Sequence, residues 1–230
     1  MFRRMFFAAI LVGLAGGLVM SAMQYFRVTP YILAAEAYEH KGAHEHSNAS
    51  GQPAAEVEPW APVDGLERTA YTVLANSIVS IAFALLMIGA SFLLNLPITV
   101  ANGALWGLCG FMVFSLAPSA GLPPELPGMP AADLSARQVW WWFAVAATAG
   151  GLTLLAKKRS PGYLALAILL IALPHLIGAP DAPSQESNVP AQLASGFAAN
   201  ALATAAVFWV FLGLGFGLVH DRATRRRTVP

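Results

Sequence analysis

Long apolar runs separated by polar segments dominate the chain, and their lengths decide the class of fold. A helix needs about 20 mostly apolar residues to cross the hydrocarbon layer, with a working range of about 17–25. Six stretches meet that length: 5–26, 71–94, 100–117, 139–156, 162–178 and 197–219. The fifth is the shortest and holds Pro174 near its end. The pattern predicts an all-α integral membrane protein with a single membrane domain over 1–230. Its expected architecture is a bundle of about six transmembrane helices with three polar outer loops, at 27–70, 118–138 and 179–196.

Composition supports the class. The 230 residues are 57% hydrophobic and 11% charged, where soluble domains carry about 25% charged residues. Charge placement then sets the orientation. With the N-terminus in the cytoplasm, the inner segments hold Arg3, Arg4, Lys157, Lys158, Arg159, Arg222, Arg225, Arg226 and Arg227. The outer segments hold only Arg27, Lys41, Arg68 and Arg137, together with every acidic residue except Asp221. The positive-inside rule thus favours both termini in the cytoplasm. A competing reading takes Arg3, Arg4 and the first apolar run as a secretory signal cut near Ser21–Ala22, which leaves five spans and the same remaining topology. Cys109 stands alone in an apolar run, so no intrachain disulfide forms, and it reads as a small packing residue.

Within the first outer segment, Pro30 to His40 continues as a short helix, while 47–62 is rich in Ser, Gly, Ala, Pro and Glu and reads as flexible. The second loop is stiffened by its prolines, and the third is acidic and proline-bearing. The pairs Gly13/Gly17, Gly103/Gly107 and Gly213/Gly217 have the four-residue spacing that lets membrane helices approach closely. Trp140, Trp141 and Trp142 read as an interfacial aromatic belt.

Candidate chemistry concentrates in the first loop. EAYEHKGAHEH places His40, His44 and His46 among Glu36, Glu39 and Glu45. Neutral imidazole suits Zn, Co, Ni and Cu, and nearby carboxylates add oxygen ligands. Such capture weakens in acid, as the histidines protonate. The competing reading is a solvated polar loop with chance histidines. His175 follows Pro174, whose missing N–H frees the Leu170 carbonyl. His220 lies at the opposite membrane face, so the two cannot clamp one haem. Met20 and Met23, one turn apart, read as core filling rather than thioether ligands.

No Asp, Glu, Lys or Arg occupies the centre of a span, which argues against an autonomous proton-coupled antiporter. The polar groups inside the spans are Gln24, Asn76, Ser77, Ser80, Asn102, Ser115, Thr148, Asn200 and Thr204, suited to interhelical hydrogen bonds or a narrow hydrated path. No G-x4-G-K-[ST] phosphate loop occurs, and nothing points to an enzyme, a resident cofactor or nucleic acid.

EAYE with its His/Glu cluster, WAPVDGLERT, LPPELPGMPAADLSARQVWWW and ALPHLIGAP together resemble the CbtA family of cobalt transporter subunits. The resemblance runs over most of the chain. It implies a bacterial inner-membrane protein that imports Co²⁺ for cobalamin synthesis alongside a small CbtB-like partner with one span and a His-rich end. It points to Glu36, Glu39, His44 and His46, to Trp60, Asp64, Glu67 and Arg68, and to Glu125 and His175. Glu67 and Arg68 also read as a simple surface ion pair. Adding His40 from the loop, the metal set is Glu36, Glu39, His40, His44, His46, Glu125 and His175. Ni²⁺ and Zn²⁺ remain chemically compatible with it. The alternative function is a non-transporting membrane metal sensor or assembly partner. A cobalt energy-coupling substrate component would carry histidine after the initiator Met, where this chain has Phe2.

Overall fold

The computed structural model describes residues 2–38, 61–158, 160–184 and 186–228. Among the described residues the regular elements are all helical, seven in order: α1 Phe2–Arg27, α2 over 29–38, α3 Leu66–Leu94, α4 Gly103–Ser119, α5 Leu134–Lys157, α6 Pro161–Ile177 and α7 Ala191–Thr228. Helices α1, α3, α5 and α7 are long and apolar enough to cross a membrane, whereas α4 and α6 are apolar but shorter. At 17 residues α6 reaches only about 26 Å against a hydrocarbon layer of about 30 Å. The expected six comparable spans therefore resolve into four long helices and two short ones.

Helix ends run past the apolar runs, because hydropathy marks the buried stretch while capping marks the helix. Helix α5 begins at Leu134, where the Asp133 carboxylate accepts from the Ala136 backbone N–H at 2.9 Å. Helix α3 begins at Leu66 behind Gly65, whose φ of +102° is open to glycine at little cost. The outer loops are correspondingly shorter than expected, at 120–133 and 178–190.

Close packing follows the glycines. A Cβ added at Gly13 would lie 2.7 Å from the Ile81 Cα, and one at Gly17 would lie 2.7 Å from the Ser77 Cα, so α1 and α3 touch backbone to backbone, antiparallel. Gly103 and Gly107 meet Gly213 and Trp209 in the same antiparallel sense, and Gly217 meets Thr99. Val12 against Gly215 and Gly16 against Leu212 set α1 antiparallel to α7. The four-residue glycine pairs thus serve contacts inside the bundle.

Helices α1, α3, α4 and α7 share one core, containing Ala9, Val12, Ala84, Met87, Phe208, Trp209, Leu212 and Phe216. At its centre Phe114 stacks on Trp209 with ring centroids 5.4 Å apart, and Phe83 lies 4.8 Å from the same ring. The α5–α6 hairpin packs beside this core through α4. Gly151 closes on Ala167 and Ile171, and Trp140 lies over Gly121.

Helix α4 is not regular. Met112–Leu116 forms a π-turn, followed by Pro118. Proline offers no N–H, so the helix loses a donor in the turn where its register widens.

The alternating directions sort the loops. The start of α1, the 95–102 turn, the end of α5, the start of α6 and the end of α7 lie at one end, where Asp221 Oδ2 accepts from the Val100 N–H at 3.4 Å. This is the basic end. Helix α2 and the 120–133 and 178–190 loops lie at the other, the acidic end.

Candidate metal site at the acidic end

A second, smaller core builds the acidic end. Val28, Ala35, Leu126, Val189 and Phe197 bury together, with Tyr31, Tyr38, Met129 and Leu193 against them. These residues come from the end of α1, from α2, from both acidic-end loops and from the start of α7. One apolar knot thus draws α2, both loops and the start of α7 together. Asn200 Nδ2 adds a hydrogen bond to the Tyr31 hydroxyl at 3.3 Å, and Gly196 leaves room for the Tyr31 ring.

Two arginines organise the carboxylates of that layer. Arg68, in the first turn of α3, grips both oxygens of Glu36 on α2 and donates to Asp64 Oδ1 at 2.7 Å. The expected Glu67–Arg68 pair gives way to this clamp, because adjacent helical residues point apart while Asp64 sits four residues back on the same side. Arg137, in the first turn of α5, pairs with Glu125 at 2.7 Å. Both partners are partly buried, at 30% and 22% exposure. They line an open groove of about 490 Å³ with Ser115, Ser119, Gln138 and Trp142.

His175 is exposed on the last turn of α6, its ring edge-on to Trp140 with centroids 5.8 Å apart. Trp140 departs from the interfacial belt expected of it. It is 6% exposed and donates from Nε1 to the Pro174 carbonyl at 3.3 Å, while Trp142 remains 63% exposed. The belt reading missed this because hydropathy cannot say which face of α5 meets α6.

Most polar groups inside the helices are bonded. Asn76 Nδ2 donates to Gln24 Oε1 at 2.7 Å and to Ser21 Oγ at 3.0 Å, tying α1 to α3. Asn102 folds the 95–102 turn, accepting from the Thr99 N–H and donating to the Pro97 carbonyl. The hydroxyls of Ser80, Thr148 and Thr204 are buried without a hydrogen-bond partner. A buried hydroxyl without a partner is uncommon and costly.

Of the expected metal set, Glu36, Glu125 and His175 all reach the acidic end but stand on separate elements. Glu39, His40, His44 and His46 lie outside the described residues, as does Trp60. Among the described residues no group of three or more His, Cys, Asp or Glu is placed to hold a metal ion. Sequence reasoning had not singled out Arg137. Its only signal was to be the one basic residue in a loop that also carries Glu125 and Asp133.

The family described as probable cobalt transporter subunit, CbtA, matches residues 2–221. The chain belongs to the CbtA family. Its all-helical, apolar build fits a membrane transporter subunit. None of the curated proteins or solved structures compared with this CbtA-family chain matches it.

Proposed function

We propose that this CbtA-family chain is the membrane subunit of a Co²⁺ importer of the bacterial cytoplasmic membrane. It would have six spans, both termini inside and the acidic end outside. The observation that carries the reading is the family match over 2–221, which runs from the start of α1 into α7. The segregation of charge supports the orientation, since the basic end gathers Lys157, Lys158 and the Arg222–Arg227 run.

Capture begins on the first outer segment, where Glu39, His40, His44 and His46 concentrate the ion beside Glu36. Glu125 and His175 receive it at the bundle mouth. The hydroxyls of Ser80 and Thr204, buried and unpaired, supply oxygens further in. An inward-negative potential favours entry of a dication by about 4.6 kcal/mol per 100 mV, twice the single-charge value. A small single-span, His-rich CbtB-like subunit completes the importer and delivers cobalt at the surface.

Radiocobalt uptake at nanomolar metal, in cells lacking other cobalt importers, tests this. The arms are the chain with and without the small subunit, and a variant carrying His44→Ala, His46→Ala and His175→Ala. Uptake that needs the chain and falls at least fivefold in the variant supports the reading. Membrane-inserted protein with no flux in either arm refutes it and favours a metal sensor.

A further inference from the structure

Both described carboxylates of the expected metal set are already occupied by a cation, and that cation is arginine. At Glu36 the pairing has a plain mechanical use, because Arg68 reaches across from α3 and holds α2 in place. At Glu125 it has none of that kind. The loop carrying Glu125 is fixed by its neighbour Leu126, 3% exposed in the acidic-end core, with its backbone N–H directed at Met129 Sδ. The start of α5 is fixed by the Asp133 cap. Each partner is anchored independently, so the loop does not depend on the Glu125–Arg137 pair for its position.

The surroundings of the pair are also unlike those of a packed structural bridge. It forms part of the wall of the open 490 Å³ groove, and the polar side chains beside it, Gln138, Ser115 and Ser119, are neutral oxygen donors. Six waters around a metal ion take about 180 Å³ at about 30 Å³ each, so a fully hydrated dication fits with space for a displaced arginine. One carboxylate with neutral oxygens makes a weak site for such an ion. Weakness is what passage requires, because a transit site must release what it binds.

We propose that Arg137 is a stand-in cation in a transit site for hydrated divalent metal, holding Glu125 in the empty protein and giving way when the ion arrives. The proposal rests on the uptake reading above and adds to it the site's chemistry. A hydrated dication carries twice the guanidinium's charge, which offsets its greater distance from Glu125 across the intervening water, so it competes with the arginine for the carboxylate. Arg137 then lowers the affinity for the ion and returns to Glu125 as the ion moves on. Without Arg137 the groove holds metal more tightly and passes it more slowly.

The test uses the full chain in lipid nanodiscs with CoCl₂ as the probe, read by quenching of tryptophan fluorescence. Trp141 and Trp142 line the groove, and a W141F/W142F chain identifies the local signal. The expected result is an apparent affinity at least fivefold tighter in R137Q and at least fivefold weaker in E125Q. In the E125Q background R137Q changes nothing, because the competition has lost its object. In cells R137Q lowers both the half-saturating cobalt concentration and the maximal uptake rate. Should R137Q fail to fold, R137K decides: a point charge without the planar fork gives intermediate tightening. Unchanged or weaker binding in R137Q, or in R137K where that is the folded variant, overturns the exchange. So does tightening that persists without Glu125. A binding shift without cellular uptake refutes the importer while leaving the exchange intact; uptake indifferent to Arg137 refutes only the exchange.

Discussion

Leu212→Ala separates packing from the hydrophobic effect in this bundle. Leu212, on α7, is fully buried against α1, and a Cβ built on Gly16 would lie 2.9 Å from its Cδ2. In a water-soluble core such a truncation costs about 2.7–5 kcal/mol, the sum of a transfer term and a cavity term. Three carbons at about 0.8 kcal/mol each put the transfer term near 2.4 kcal/mol. Inside a bilayer that term largely cancels, since a leucine leaving the core meets lipid tails as apolar as itself. What survives is the lost packing around the void, about 0.3–2.6 kcal/mol by difference. The expected loss is therefore about 1–2 kcal/mol, measured by reversible unfolding in bilayer-like micelles. A loss of 4 kcal/mol or more would refute the reasoning. It would mean that the α1–α7 seam exchanges with water when it opens, as a hydrated interior would.

Two further outcomes follow from the close contacts. Gly107→Leu drives a side chain into the Trp209 and Val210 backbone; it should abolish the α4–α7 seam and with it a monodisperse, detergent-stable protein on size-exclusion chromatography. Arg68→Ala releases Glu36 and Asp64 together and should loosen α2 by about 1 kcal/mol. In an Ala35→Cys background, a position now fully buried, thiol labelling should then accelerate about fivefold; an unchanged rate would show that the apolar knot alone holds α2.

The sequence revealed the six apolar segments, their alternation and the sorting of charge between the two ends, because each is written in composition over tens of residues. The glycine pairs were legible for a related reason: spacing of four on an apolar helix has few other uses, and Gly13, Gly17, Gly103, Gly107, Gly213 and Gly217 all met a neighbouring backbone. Partnerships between distant elements were not legible. Nothing local says that Trp140 turns toward Pro174 or that Arg68 reaches Glu36, 32 positions away. Arg137 escaped notice for the same reason, since its meaning lies entirely in the groove it faces. The π-turn escaped because its cause is a mismatch of register, to which hydropathy is blind.

That mismatch has a consequence of its own. The π-turn at Met112–Leu116 accommodates an extra residue in α4. Each residue advances a regular helix by about 100°, so an extra residue left unabsorbed would swing everything beyond it through more than a quarter circle, and the π-turn takes up that rotation locally. Ser119, the prolines and Glu125 all lie beyond it. The aim of the acidic-end loop is thus held by the bulge: a residue deleted inside the turn would restore a regular helix and leave the loop pointing nearly where it does, whereas one deleted from the regular first half of α4 would turn the loop toward a different neighbour.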